Sequence, residues 1–355
     1  EKILLQRSYG FANWELQVPV SPSSRFPVAS ITKVMTTAVV GALVKEGRLD
    51  LDAPVSRYIP GFPKGPKGGI PIVRQLLDHK SGTPFRVTST VDETQRLLPA
   101  DIVELVKKKG LQFEPGTETL YSSAGYTALA RVIEIVEQKP FAQVLGEKVF
   151  RPAGMTTATD ETSQRIMPGR VMPYRFSAVE GKLVVAGAPY KDLSFLTGAG
   201  SVYATAEDLL HFANAARAGI LGKEAQAFTT GTEAPTWRGW YGRTTTEASV
   251  DVMPSGEITF VFLANLRSAA TWQLRAQVKN LLQGAATAPI KRPLPVAARF
   301  ESAPSFVGPY GVASDPVVVS EVDGHLLRDE SEFYPIERGR YYMPASGFVM
   351  WFRRG

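Results

Sequence analysis

Apolar residues first fall at helical spacing over residues 30–45, where Ile31, Val34, Met35, Ala38 and Leu43 line one face and Gly47 supplies a stop. This pattern predicts a core helix from about Ser30 to Lys45. Upstream, residues 3–28 alternate loosely and are broken at Tyr9-Gly10 and Val20-Ser21-Pro22, which predicts strands and a connecting loop. From Arg48 to Pro84 the chain is rich in Pro and Gly, with one short helix over about 72–78. Further helical periodicity predicts helices over roughly 100–109, 124–138, 141–150 and 206–218. Two strand-like runs, Ala248 to Val252 and Ile258 to Ala264, flank the turn Pro254-Ser255-Gly256, and a helix over about 270–283 follows. Helices interleaved with strands and a closing β-β-α unit predict a mixed α/β or α+β domain.

Composition then shifts. Ala, Pro and two basic residues over 286–298 read as a linker, dividing the chain into a main domain over 1–285 and a small module over 299–355. In the module, Val317 to Arg328 reads as a hairpin turning at Asp323-Gly324, and the tail through Phe348, Trp351 and Phe352 is also β-like. At under sixty residues, this β-rich module is expected to pack on the main domain.

Charge changes the picture little. The net charge of +6 is dispersed except at Lys107-Lys108-Lys109 and Arg353-Arg354, and the first cluster suits the last turn of a helix ending at Gly110. No nucleic-acid-reading motif accompanies it, so no nucleic-acid partner is expected. No apolar run reaches the ~18 residues of a membrane span, and no basic-apolar-small leader opens the chain. The absence of cysteine excludes disulfides, thiolate metal sites and cysteine nucleophiles.

The chain has no GxSxG elbow, HExxH, P-loop or dinucleotide fingerprint, and neither metal nor cofactor is expected. His79, His211 and His325 stand in unlike contexts and read as structural or surface residues, so histidine is not expected to supply a general base. Lysine can. In Ser30-Ile31-Thr32-Lys33 a hydroxyl and an amine share one helical face within contact distance. The helix N-terminus favours a developing alkoxide, and a desolvated lysine can lose its proton near neutral pH and accept the serine proton. By composition alone, roughly one such Ser-x-x-Lys pair arises by chance in a chain like this.

The surroundings of the tetrad carry more weight. Arg25 through Lys33 resembles the active-site segment of the large serine β-lactamase-like, or penicillin-binding-protein-like, family of class C β-lactamases, D-alanyl-D-alanine carboxypeptidases and related carboxylesterases. In chain order, Glu46 to Val55 is similar to the family's post-helix turn, and Leu76-Leu77-Asp78-His79-Lys80-Ser81-Gly82 to its LLxHxSG segment. Phe113-Glu114-Pro115-Gly116 with Tyr121-Ser122-Ser123-Ala124-Gly125-Tyr126 resembles the family's F-PG and YSNAGY segments. Phe150 to Met155 and Gly198 to Leu209 match later ones. The resemblance implies an antiparallel sheet flanked by helices plus a helical subdomain, the site lying between them. It also implies that the C-terminal module is one of the small β domains appended to some members.

The resemblance implies roles as well. Ser30 is then the nucleophile, Lys33 its base and Tyr121 a proton shuttle; a phenol of pKa ~10 needs nearby positive charge for that task, which Lys33 is expected to provide. Ser123 stands where the family has asparagine, and its hydroxyl is shorter and offers one donor. The third family motif falls near Trp240-Tyr241-Gly242, and Arg243 just beyond it is the expected second oxyanion N–H donor, with Ser30 the first. Trp237 and Trp240 also suit an ordinary core or pocket wall. Without a lysine at this motif to hold a substrate carboxylate, the implied order is carboxylesterase, then D-amino-acid peptidase or amidase, then β-lactamase. The partner is a small-molecule ester, amide or peptide substrate. A catalytically silent binding relative and an unrelated interaction protein stand as alternatives. The resemblance implies a periplasmic or secreted location; nothing in the sequence sets the oligomeric state.

Overall fold

A computed structural model of the chain describes all residues except 1, 89–90, 161–165, 180–181, 228–235, 241–245, 254–257, 290–307, 313–314, 323–324, 329–330, 338–339, 344–347 and 352–355. Contacts divide the chain into two compact units, Glu1–Val171 with Tyr190–Gly239 and Ala248–Leu263, and Met172–Pro189 with Trp240–Glu247 and Ala264–Gly355. The architecture is mixed α+β, its strands spread over several small sheets whose described pairings are antiparallel. Of the segment expected as a linker, 290–298 lies outside the described residues, as do the turns at 254–256 and 323–324, Phe352 and Arg353-Arg354. No helix among the described residues is long and apolar enough to cross a membrane.

In the first unit, the expected core helix forms as α1, Ile31–Lys45, but it is enclosed on every face and not one. Only Ala42, Val44 and Lys45 escape burial. Ile31, Met35, Val39 and Leu43 are fully buried, each stabilising the fold by about 1.5–3 kcal/mol. The enclosed polar residues must therefore find partners inside. Thr36 Oγ1 donates to Thr32 O at 3.1 Å and Gly198 O at 2.7 Å, and Thr37 Oγ1 donates to Lys33 O at 3.0 Å.

Three helices follow: α2 (Val73–Leu77), α3 (Pro99–Lys109) and α4 (Ser123–Glu137), and α4 packs against all of α1, α2 and α3. Ser122 caps α4 by accepting from Gly125 N–H at 2.8 Å, and Phe85 O accepts from Ser123 N–H at 3.0 Å. The first turn of α4 is thus pinned to the loop after α2, which fixes the direction in which Tyr121 leaves the chain. The helix expected over 141–150 divides instead into Phe141–Leu145, a π turn over Gly146–Phe150, and Arg151–Ala153. Gly146 weakens the run, and Pro152 has no N–H to donate to the turn before it.

The short strand Phe26–Pro27 pairs antiparallel with Val202–Ala204, which also pairs with Thr159–Asp160. The turn before Val202 contains Gly198 at φ +77°, where a Cβ would sit 2.8 Å from Ala130 Cβ and 2.9 Å from Tyr126 O. Left-handed backbone and missing space act together here. Gly198→Ala is expected to destabilise the fold by about 3 kcal/mol, read as a lower urea midpoint at unchanged m-value.

The second unit contains the hairpin Tyr174–Val179/Lys182–Gly187, the helix Ala269–Leu282 and a six-stranded meander from Gly308–Val312 to Phe348–Trp351. Val322 pairs with His325, the register expected of a two-residue turn. Tyr334 Oη donates to Phe176 O at 2.7 Å, tying the meander to the hairpin.

Candidate active site

The strand Phe26–Pro27 runs directly into α1. Val28 N–H still donates to Val202 O at 2.8 Å. At Ala29 the chain then turns through φ +48°, a left-handed conformation that costs a non-glycine residue about 1 kcal/mol. Ser30 follows at once as the N-cap of α1. Thr32 Oγ1 accepts from Val202 N–H at 3.3 Å, so strand and helix are fastened on both sides of the serine.

Lys33 lies one turn along. Its Nζ is 3.2 Å from Ser30 Oγ, 3.5 Å from Ser123 Oγ and 2.8 Å from Ala199 O, and the residue is only 6 % exposed. Burial pushes its pKa down to about 7. A neutral amine has two N–H bonds and one lone pair. In the neutral form, hydrogens given to Ala199 O and Ser123 Oγ leave the lone pair for the serine hydroxyl, the third group within reach of Nζ.

Tyr121 Oη donates to Ser30 Oγ at 2.7 Å. The expectation that Lys33 would draw this phenol toward neutral pH is corrected. Lys33 Nζ sits over the ring face, 4.7 Å from its centroid, and is itself half-neutral near pH 7. Burial pushes the phenol up to about 12, opposed by its bond to Ser30, although the residue still shows 43 % of its surface to solvent. Tyr121 is accordingly a phenol, and a donor, at neutral pH.

Ser30, Lys33, Tyr121 and Ser123 therefore come together in the first unit. Gly242 and Arg243, with Tyr241 between Trp240 and Gly242, lie outside the described residues. Trp240 ends the strand Thr236–Trp240, and its side chain is outside the description too.

One further residue joins Ser30, Lys33, Tyr121 and Ser123. His79, read as structural, places its ring 4.6 Å from that of Tyr121. The available signal was its place inside the Leu76–Gly82 segment; its distance from the tetrad in sequence hid the contact. His211 holds Gly154 O through Nδ1 at 2.9 Å, a structural bond of the kind expected.

Residues 1–253 match the family model described as Beta-lactamase. The putative penicillin-binding protein PbpX of Bacillus subtilis (strain 168) is 27 % identical over 296 residues, 79 % of this chain and 72 % of that protein. Several other relatives are matched over only 32 % to 42 % of their own length. Among solved structures, the D-amino acid amidase of Ochrobactrum anthropi SV3 superposes with a TM-score of 0.63 at 22 % identity, covering 78 % of this chain and 88 % of that one. EstCE1, a hydrolase with promiscuous acyltransferase activity, gives a TM-score of 0.59 at 20 % identity over 72 % and 84 %. With the family match spanning well over half of its length, the chain belongs to the beta-lactamase family.

Proposed function

We propose that this protein is a metal-independent serine hydrolase working through an acyl-enzyme, with carboxylesters as its leading substrates. The observation that carries the reading is Ser30 Oγ held between Lys33 Nζ at 3.2 Å and Tyr121 Oη at 2.7 Å. Ser30 Oγ attacks the carbonyl carbon while its proton passes to the Lys33 lone pair. The oxyanion takes the backbone N–H of Ser30, the first of the two donors that the resemblance implies. On collapse the carbon–oxygen bond breaks and the leaving alkoxide takes the Tyr121 proton; the proton held by Lys33 then returns to the Tyr121 oxygen through solvent water, which reaches the 43 % exposed phenol. Water then attacks the acyl carbon by the same route in reverse, releasing the acid and restoring Ser30.

Esters rank first because a Trp-x-Gly sequence at 240–242 supplies no lysine for a substrate carboxylate. Ser123, shorter than an asparagine amide, likewise offers less to a peptide backbone. Amides of D-amino acids are the second reading, favoured by the likeness to the D-amino acid amidase. The hydrolase portion is assigned to residues 1–285 and an appended β module to 299–355. The penicillin-binding relatives favour an exported location.

A fluorophosphonate should add its mass to the tryptic peptide containing Ser30, and short-chain p-nitrophenyl esters should turn over faster than a D-Ala-D-Ala peptide or a chromogenic cephalosporin. An unlabelled Ser30 peptide would sink the hydrolase reading. Faster turnover of the cephalosporin would reverse the substrate order.

A further inference from the structure

We propose that His79 is the positioning residue of this site, clamping the chain on both sides of Tyr121 so that the phenol is aimed at Ser30. The inference rests on the reading of Tyr121 as the proton carrier.

The backbone N–H groups of the two residues on either side of Tyr121 both end on this one residue. Leu120 N–H donates to His79 O at 2.9 Å, and Ser122 N–H donates to His79 Nδ1 at 3.0 Å. The imidazole also covers the phenol itself, tilted by 37° with centroids 4.6 Å apart. It also meets the Tyr126 ring at 5.1 Å. Three contacts from one side chain and its carbonyl thus fix the backbone before Tyr121, the backbone after it and the ring between.

The local backbone is bent to allow this. His79 follows the C-cap of α2 and adopts φ +59°, a left-handed conformation that few non-glycine residues accept without cause. The strain is maintained by Lys80 N–H to Gln75 O and Gly116 N–H to Lys80 O, both 2.8 Å.

The hydrogen bond also sets the tautomer. Nδ1 accepts, so the ring proton resides on Nε2 and the imidazole is neutral. A second proton would turn N–H against N–H at Ser122 and place charge near Lys33. Burial, and after it Lys33, push the His79 pKa down to about 4, so the clamp stays closed through neutral pH.

Two substitutions separate positioning from bulk structure. In His79→Asn the amide oxygen can stand in for Nδ1, and asparagine tolerates left-handed backbone. In His79→Phe the ring is kept and the acceptor is lost. On a p-nitrophenyl ester, H79F is expected to lower kcat by about 30-fold with KM within about twofold, while H79N stays within about threefold of wild type. Combined with Tyr121→Phe, H79F should add less than about twofold, because its effect is exerted through the phenol. Losses of H79F and Y121F that multiply would overturn the proposal. Should H79F not fold, H79N decides: near-wild-type kcat supports the clamp, and a loss equal to that of Y121F refutes it.

Hydrogen exchange at the Ser122 amide gives a readout that needs no turnover. Protection in wild type and H79N is expected, and rapid exchange in wild type would overturn the clamp. If the wild-type protein hydrolyses no ester and takes no phosphonate, the hydrolase reading fails alone, and exchange at Ser122 still decides the role of His79.

Discussion

Replacing Ser30 with alanine is expected to lower kcat for ester hydrolysis at least about 10⁴-fold, the scale seen when a nucleophile is removed from a coupled catalytic unit. The fold should survive. Ser30 occupies the N-cap of α1, yet its side chain makes no capping hydrogen bond, so the usual loss of about 1 kcal/mol on removing a cap does not apply. What disappears is the oxygen on which Lys33 and Tyr121 converge. Steady-state kinetics together with a thermal melt check both halves. Retained turnover in a folded S30A protein would remove Ser30 from the mechanism.

The second large effect divides activity from stability. Lys33→Met should reduce kcat about 10³-fold, the range of general acid–base contributions, while raising the urea midpoint at neutral pH. The free amine titrates near its ordinary value of 10.5, whereas burial lowers it to about 7 in the folded protein. Between those values the unfolded chain holds more protons than the folded one, so wild-type stability rises with pH across this window and is flat below it. At pH 7 the depressed value costs the folded state about 4 kcal/mol relative to alkaline pH. Methionine avoids that penalty but leaves Ala199 O without its donor, so a net gain of about 2 kcal/mol is expected. The slope between pH 7 and 10.5 should vanish with it. Wild-type kcat/KM should rise with pH through about 7 as Lys33 becomes the free base, with no alkaline limb until Tyr121 ionises. A variant that keeps the wild-type dependence of stability on pH would show that Lys33 is not the buried titrating group.

Much of this was legible in the residues. Helical spacing placed α1, α3 and α4 within a residue or two, because each carries an apolar face long enough to repeat. The pairing of Ser30 with Lys33 followed from one helical turn. The enclosure of α1 did not, since apolar periodicity reports that a face is buried and is silent about threonines whose hydroxyls bond back to their own helix. The hairpin Tyr174–Val179/Lys182–Gly187 was missed because Arg175 and Ser177 alternate with apolar residues too briefly to stand out. His79 was missed for a different reason. Its function arises from a bond between residues 43 positions apart in the chain, and no local pattern encodes such a meeting. The direction of the Tyr121 pKa also escaped, because it is set by burial of the phenol, which arises only when the chain has folded around it.

The enclosure of α1 bears on how such a protein can change over generations. A helix with one solvent face has a row of sites where substitutions are nearly neutral. Nearly every position of α1 touches the interior, so its sequence has little room to drift. Ser30 and Lys33 are carried on a segment that selection for folding alone would hold still. New specificity must then come from walls that face the solvent, such as Phe85, which is 41 % exposed and lies 6.0 Å from the Tyr121 ring. The reactive pair is inherited with the core, and the substrate is free to vary around it.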